Sequence, residues 1–143
     1  MGKKTSRITK TIAYDRIGDK QILDIVEAAR KGIEYAAFEK IADQLIFSFQ
    51  EWSYFLNISF RTLQRYKAEN KAFIQPQSER ILQIALLNKR GAEVFGDDKK
   101  FHTWLATENL ALGNIEPKTL LDSAFGIDLL MDELIRIEHG VLA

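Results

Sequence analysis

Cysteine is absent from the chain, which rules out disulfides, thiolate metal sites and thiol nucleophiles and fits a reducing compartment. Histidine is scarce as well: His102 and His139 are the only two, and they stand in different segments with no metal-ligand spacing around either. A Gly-rich phosphate loop and a strained Ser elbow are both missing. The expectation is therefore a protein that is not an enzyme and that needs no cofactor and no metal. No apolar run approaches the roughly 20 residues that span a bilayer, and the N-terminus lacks the apolar core of a signal peptide, so the expected location is the cytoplasm. No segment alternates apolar and polar residues convincingly enough to read as a strand.

What remains is helical periodicity, which sets the fold class as all-α. The 143 residues, 46% hydrophobic and 28% charged, suffice for one compact domain or two very small ones sharing a core. Net charge is zero overall but unevenly placed. Residues 1–75 carry 13 Lys/Arg against 9 Asp/Glu, and residues 76–143 carry 7 against 11. A basic half and an acidic half suggest partners of opposite sign.

The most informative stretch runs from Trp52 to Lys67, WSYFLNISFRTLQRYK. Two short apolar-periodic segments meet at Asn57-Ile58-Ser59, a helix-turn-helix pattern spanning residues 50–68. Asn57 tolerates the positive φ that a tight turn needs, and Ser59 can cap the second helix. At about 100° per residue, Leu63 and Tyr66 fall on one side of that helix. Arg61, Gln64 and Arg65 fall on the other, with Thr62 and Lys67 at its flanks. The inner side suits packing. The outer side suits a DNA major groove, because Arg forks to guanine, Gln bridges adenine, and Lys and Thr reach phosphates. A helical hairpin with a merely solvated outer face satisfies the same periodicity.

Residues 1–20 form a basic tail, expected to be flexible. Residues 20–32 read as one scaffold helix and residues 34–49 as a second amphipathic stretch. Residues 69–75 read as a linker, and Pro76 opens a long helix to about Val94. That helix is apolar over so wide an arc that it must touch neighbours on both sides, a strut between the DNA-binding half, residues 21–75, and residues 76–143. Beyond it, Asp98 is placed to cap a short helix carrying Phe101, Trp104 and Leu105. Gly113 marks a positive-φ loop site, Pro117 starts another short helix, and Gly126 separates that from a last helix at 127–138, stopped by His139-Gly140.

The chain resembles the Xre/MbcA/ParS family of type II antitoxins, the partners of RES-domain and related toxins. The resemblance covers roughly residues 50–143. It rests on NISFRTLQRYKAEN followed by QSERILQIALL, then EVFGDD, Trp104-Leu105, NLALGNIEP, Leu120-Leu121, Gly126 and LIRIEHGVLA. Two positions depart from the family pattern: Asn57 and Asn114 stand where relatives usually carry Gly, and both tolerate the left-handed region. The resemblance implies a helix-turn-helix module that represses its own operon, reading double-stranded operator DNA through Ser59, Arg61, Thr62, Gln64, Arg65 and Lys67. It also implies a C-terminal part that neutralises a cognate toxin, one that consumes NAD or transfers ADP-ribose from it. By the same resemblance, toxin contacts fall at Trp104, Asn109, Leu112, Gly113 and Arg136, and the end His139, Gly140, Val141, Leu142, Ala143 obstructs the toxin's active site. Large apolar residues such as Trp104 and Leu112 also suit a core, Gly113 also suits loop shaping, and His139 also suits a helix cap. Repressors that read paired half-sites are expected to be homodimers. A free-standing regulator without a toxin, or a toxin-binding protein that has lost DNA binding, stays open at this point.

Overall fold

A computed structural model describes residues 19–140 of the chain. Among these there are seven α-helices: α1 (Asp19–Lys31), α2 (Tyr35–Ala42), α3 (Phe49–Leu56), α4 (Phe60–Glu69), α5 (Gln75–Phe95), α6 (Asp98–Leu105) and α7 (Ala124–Glu138). Two 3-10 turns, Leu110–Leu112 and Pro117–Leu120, lie between α6 and α7. No strand occurs among the described residues; only two isolated bridges pair backbone, Glu34 with Ala72 and Asn109 with Ile115. The basic tail expected at residues 1–20 lies outside the described residues up to residue 18.

The long helix α5 is the centre of the molecule, packing against α1, α3, α6 and α7. Its wide apolar arc explains this: Ile81, Leu82, Ile84 and Leu87 are all buried, on several sides of one helix. In front of it, α2, α3 and the segment after α4 enclose an aromatic cluster. Phe38 meets Trp52 edge-on at 5.0 Å and Phe73 at 5.2 Å, the geometry that ring quadrupoles favour. Behind it, Phe101 and Trp104 stack at 6.0 Å beside Phe95. The approach of α6 to α5 requires Gly91, since a Cβ there would sit 2.4 Å from the Phe101 ring.

Four sequence expectations are corrected here. The amphipathic stretch 34–49 is not continuous: α2 ends at Ala42 and α3 begins only after Ser48. Ser48 and Glu51 form a reciprocal capping box, with bonds of 3.0 and 2.9 Å. Phe47, just outside the cap, packs on Trp52 at 5.7 Å, a hydrophobic staple that fixes where the chain enters α3. The segment 69–75 is no loose linker. Phe73 is buried, its N–H donates to Ile33 O at 2.8 Å, and the Tyr35 N–H donates to Lys71 O. Ser78, fully buried on α5, accepts from the Ile33 N–H and donates to Phe73 O, tying three segments at one point. Asp97, not Asp98, caps α6 by accepting from the Lys100 N–H at 2.7 Å.

Gly126 is the fourth correction. It sits inside the first turn of α7, where its N–H donates to the capping Ser123 hydroxyl at 2.9 Å. A Cβ there would lie 2.1 Å from Leu120 O. The residue is small because α7 is pressed against the preceding 3-10 turn, and it does not separate two elements.

Candidate nucleic-acid interface and partner-binding half

The helix-turn-helix is assembled from local capping chemistry. Helix α3 ends on Asn57 at φ 57°, ψ 40°, in the left-handed region, and the chain turns through Ile58 into Ser59. The Ser59 hydroxyl accepts from the Thr62 N–H at 3.0 Å and donates to Thr62 Oγ1 at 2.8 Å. Helix α4 ends on Asn70, also left-handed, whose side chain accepts from the Ala36 N–H and donates to Glu34. The second helix is therefore fastened at both ends, and its rotation is fixed by Leu63 and Tyr66, which are buried against the core.

Rotation in that sense turns Arg61, Gln64 and Arg65 to the solvent. Arg61 and Gln64 make no side-chain hydrogen bond or ion pair among the described residues. The Arg65 guanidinium lies 5.9 Å from the neighbouring Tyr66 ring. Lys67 stands at the edge, its ammonium 4.0 Å from Glu39 on α2. Ser59 and Thr62 lie at the entry to the helix with their hydroxyls engaged in the cap. The structure thus gathers Arg61, Gln64 and Arg65 on one exposed face, with Ser59 and Thr62 at one end and Lys67 at one side.

The residues expected to meet a toxin are more scattered. Trp104 is half-buried in the stack behind α5, and Leu112 is half-buried in the first 3-10 turn. Asn109 opens that turn, its side chain accepting from the Ala111 N–H at 2.8 Å, and Gly113 closes it at φ 84°. Arg136, exposed on α7, donates to Glu133 at 2.9 Å. His139 ends α7 as its C-cap, with Gly140 at φ 69° beyond it. Val141, Leu142 and Ala143 lie outside the described residues.

The sequence reading missed a set of polar links between the two halves. The Tyr54 hydroxyl donates to Thr119 O at 2.8 Å, and Asn57 Nδ2 donates to Asp122 O at 3.3 Å. The Lys118 ammonium pairs with Glu51 at 3.0 Å. Lys118 is held above the usual ammonium value chiefly by that bond. Burial alone would raise the Glu51 carboxyl, but the Ser48 N–H and the Lys118 ammonium outweigh it and hold it low. The turn of the helix-turn-helix is thereby latched to the 3-10 turn that precedes α7. Arg80 of α5 adds a bond from Nη1 to Phe55 O at 3.0 Å.

Beside this latch a cleft of about 430 Å³ is lined by Phe47, Glu51, Lys99, His102 and Lys118 among others. His102 packs on Phe47 at 4.9 Å and donates from Nε2 to Asn88 Oδ1 at 2.8 Å. Burial pushes its imidazole below the ordinary value, only partly opposed by Asp98 and Glu51. The ring is held in place as packing. Among the described residues no group of three or more acidic or imidazole side chains is arranged to hold a metal, and no helix is long and apolar enough to cross a membrane.

A capped helix-turn-helix with a cationic outer face, joined through a shared helix to a small helical domain, defines a two-part protein with a helix-turn-helix module at its front. Comparison with known families assigns both parts: residues 24–86 match the Antitoxin Xre-like helix-turn-helix domain, and residues 90–140 match the Antitoxin Xre/MbcA/ParS C-terminal toxin-binding domain. The chain belongs to the Xre/MbcA/ParS family of antitoxins. Among curated relatives it is similar to an Antitoxin Xre of Yersinia enterocolitica serotype O:8 / biotype 1B, 33% identical over 87 residues, which are 60% of this chain and 59% of that protein. It is also similar to an Antitoxin Xre of Photorhabdus laumondii subsp. laumondii, 27% identical over 103 residues, 66% of this chain and 70% of the relative. The match thus spans less than two thirds of the Yersinia protein's length. The two family models meet inside α5, between residues 86 and 90.

Proposed function

We propose that this chain is the antitoxin of a type II toxin–antitoxin pair. It binds a cognate toxin through residues 76–143 and represses its own operon through the helix-turn-helix unit in residues 21–75. The observation that carries the DNA half is the exposed trio on α4. Arg61 and Gln64 have no partner among the described residues, and the side chains opposite them, Leu63 and Tyr66, are buried. The helix has therefore no freedom to turn its guanidinium groups inward. Ser59, Thr62 and Lys67 border the trio and would meet phosphates, which position the protein, while the Arg and Gln side chains read base edges. A homodimer presents two such helices to paired half-sites.

For the toxin half, the family membership supports a RES-domain type partner, acting on NAD or its ADP-ribose, in the cytoplasm. Contacts are assigned to Trp104, Asn109, Leu112, Gly113 and Arg136, and the end His139–Ala143 enters the toxin's active-site cleft. A short, largely apolar stretch beyond a helix stop is narrow enough to enter a nucleotide-sized pocket.

The test is an electrophoretic shift of DNA from upstream of the gene. Changing Arg61 and Arg65 to Ala should weaken binding about 30-fold or more, at roughly 1–3 kcal/mol for each base contact. Unchanged binding would remove the assigned role of α4. A second variant lacking Gly140–Ala143 should shift DNA as before yet fail to silence the co-expressed toxin. A toxin still silenced by that variant would refute the obstructing end.

A further inference from the structure

The outward side of α7 carries apolar residues that nothing in the fold explains. Phe125 is 89% exposed and Leu129 43%, whereas Ile127, Leu130 and Leu134 on the inner side are buried. On a helix advancing about 100° per residue, Phe125, Leu129, Asp132 and Arg136 share one stripe, with Asp128 and His139 along its edge. The stripe runs for about 21 Å at 1.5 Å per residue and ends where the proposed obstructing end begins. The backbone of its first residue is held in place. Ser123 caps the turn that holds Phe125, and the missing Cβ of Gly126 lets that turn press on Leu120 O. A phenylalanine on a backbone held in place, with only two side-chain torsions to order and its ring in water, loses little conformational freedom on binding, which suits an interface anchor.

Charge narrows the occupant. Asp128 and Asp132 form no ion pair among the described residues, while Arg136 is bonded to Glu133, so the stripe is an apolar ridge with an acidic rim. A two-fold contact with a second copy would set that rim against itself, like charge facing like. A different protein, with an apolar socket bordered by Lys or Arg, meets both features. We infer that the Phe125–Leu129 ridge is the principal docking surface for the toxin. This rests on the antitoxin reading above.

The experiment measures binding of the full chain to the protein encoded by the adjacent gene, purified on a tag carried by that protein. The variant pair Phe125→Asp with Leu129→Asp should lower affinity about 30-fold or more, and Phe125→Ala should lower it by less. Sedimentation and the shift of upstream DNA should match the unaltered chain, because neither side chain supports the core. Equal affinity in the unaltered and Asp variants overturns the inference alone. A variant that changes the sedimenting species overturns it in favour of a second copy as occupant. Failure of the unaltered chain to bind that protein defeats the antitoxin reading itself, and the inference falls with it.

Discussion

The two halves of this molecule meet water with different materials. Along α4 the outer face is guanidinium and amide, with Leu63 and Tyr66 turned inward and Phe60, at the helix start, left partly in water. Along α7 the exposed face is phenylalanine and leucine between carboxylates, although that helix also buries a full apolar side. A polyanion is gripped by charge and read by forked donors, so a surface for it needs no apolar area. A folded protein partner is held by apolar burial at the centre of the contact, with charge at the rim. One helix, α5, connects the two surfaces, packing directly on α7 and on α3, against which α4 rests, and the latch from Tyr54, Asn57 and Glu51 to residues 118–122 joins them a second time.

The contrast holds only if the halves are two faces of one cooperative body, and the shared helix offers the strongest way to break it. Ile84, 1% exposed on α5, changed to Ala should cost about 2–5 kcal/mol. The chain has one tryptophan in each half, Trp52 and Trp104. In variants keeping one tryptophan each, both should report the same denaturant midpoint, and both should move together on Ile84→Ala. Two separated midpoints would mean that the front and rear cores fold independently.

The latch gives a smaller and sharper effect. Tyr54→Phe combined with Asn57→Gly keeps the turn geometry but removes both hydrogen bonds to the rear half. Stability should fall by about 1–3 kcal/mol, roughly 0.5–1.5 for each bond. The tryptophan transitions should begin to part while the shift of DNA persists. If the midpoint is unmoved, the latch is decoration.

The least effect concerns pH. Burial holds folded His102 below its ordinary 6.5, so as pH falls the unfolded chain takes up this proton first. Stability linked to neutral His102 is therefore complete above about pH 6.5 and declines as pH drops from there toward the folded value. Glu51 is lowered in the folded chain, so its contribution is lost in a separate, more acidic window, as pH falls below 4.5. His102→Asn should flatten the melting temperature between about pH 7 and 5 and leave the acid limb unchanged. An equally steep decline in that variant would show that another group governs the window.

Much of the front half was legible because its determinants are local. Asn57, Ser59, Leu63 and Tyr66 declare their places within about a dozen residues, and the outward trio follows from them by rotation alone. Pro76 and the broad apolar arc announced α5 for the same reason. What escaped were features fixed by distant partners. Phe73 looked like linker because its burial depends on a bridge between Glu34 and Ala72. Tyr54 and Asn57 find their acceptors 65 residues away. The break between α2 and α3 was hidden by apolar steps of four that continue straight through it, although Ser48 and Glu51 carried a capping signal at the right spacing. Gly126 was read for its flexibility when its smallness was the point. Phe125 and Leu129 went unremarked because periodicity tells which residues share a side, and only packing tells which side stays wet.

The seam between the two recognised domains falls within a single unbroken helix. Exchange of segments between relatives at that seam would splice one half of α5 to a foreign second half, setting unmatched side chains against α1, α3, α6 and α7. A splice at that seam should therefore disturb the proposed DNA and toxin surfaces both at once, because the cores beneath them are packed on the same helix.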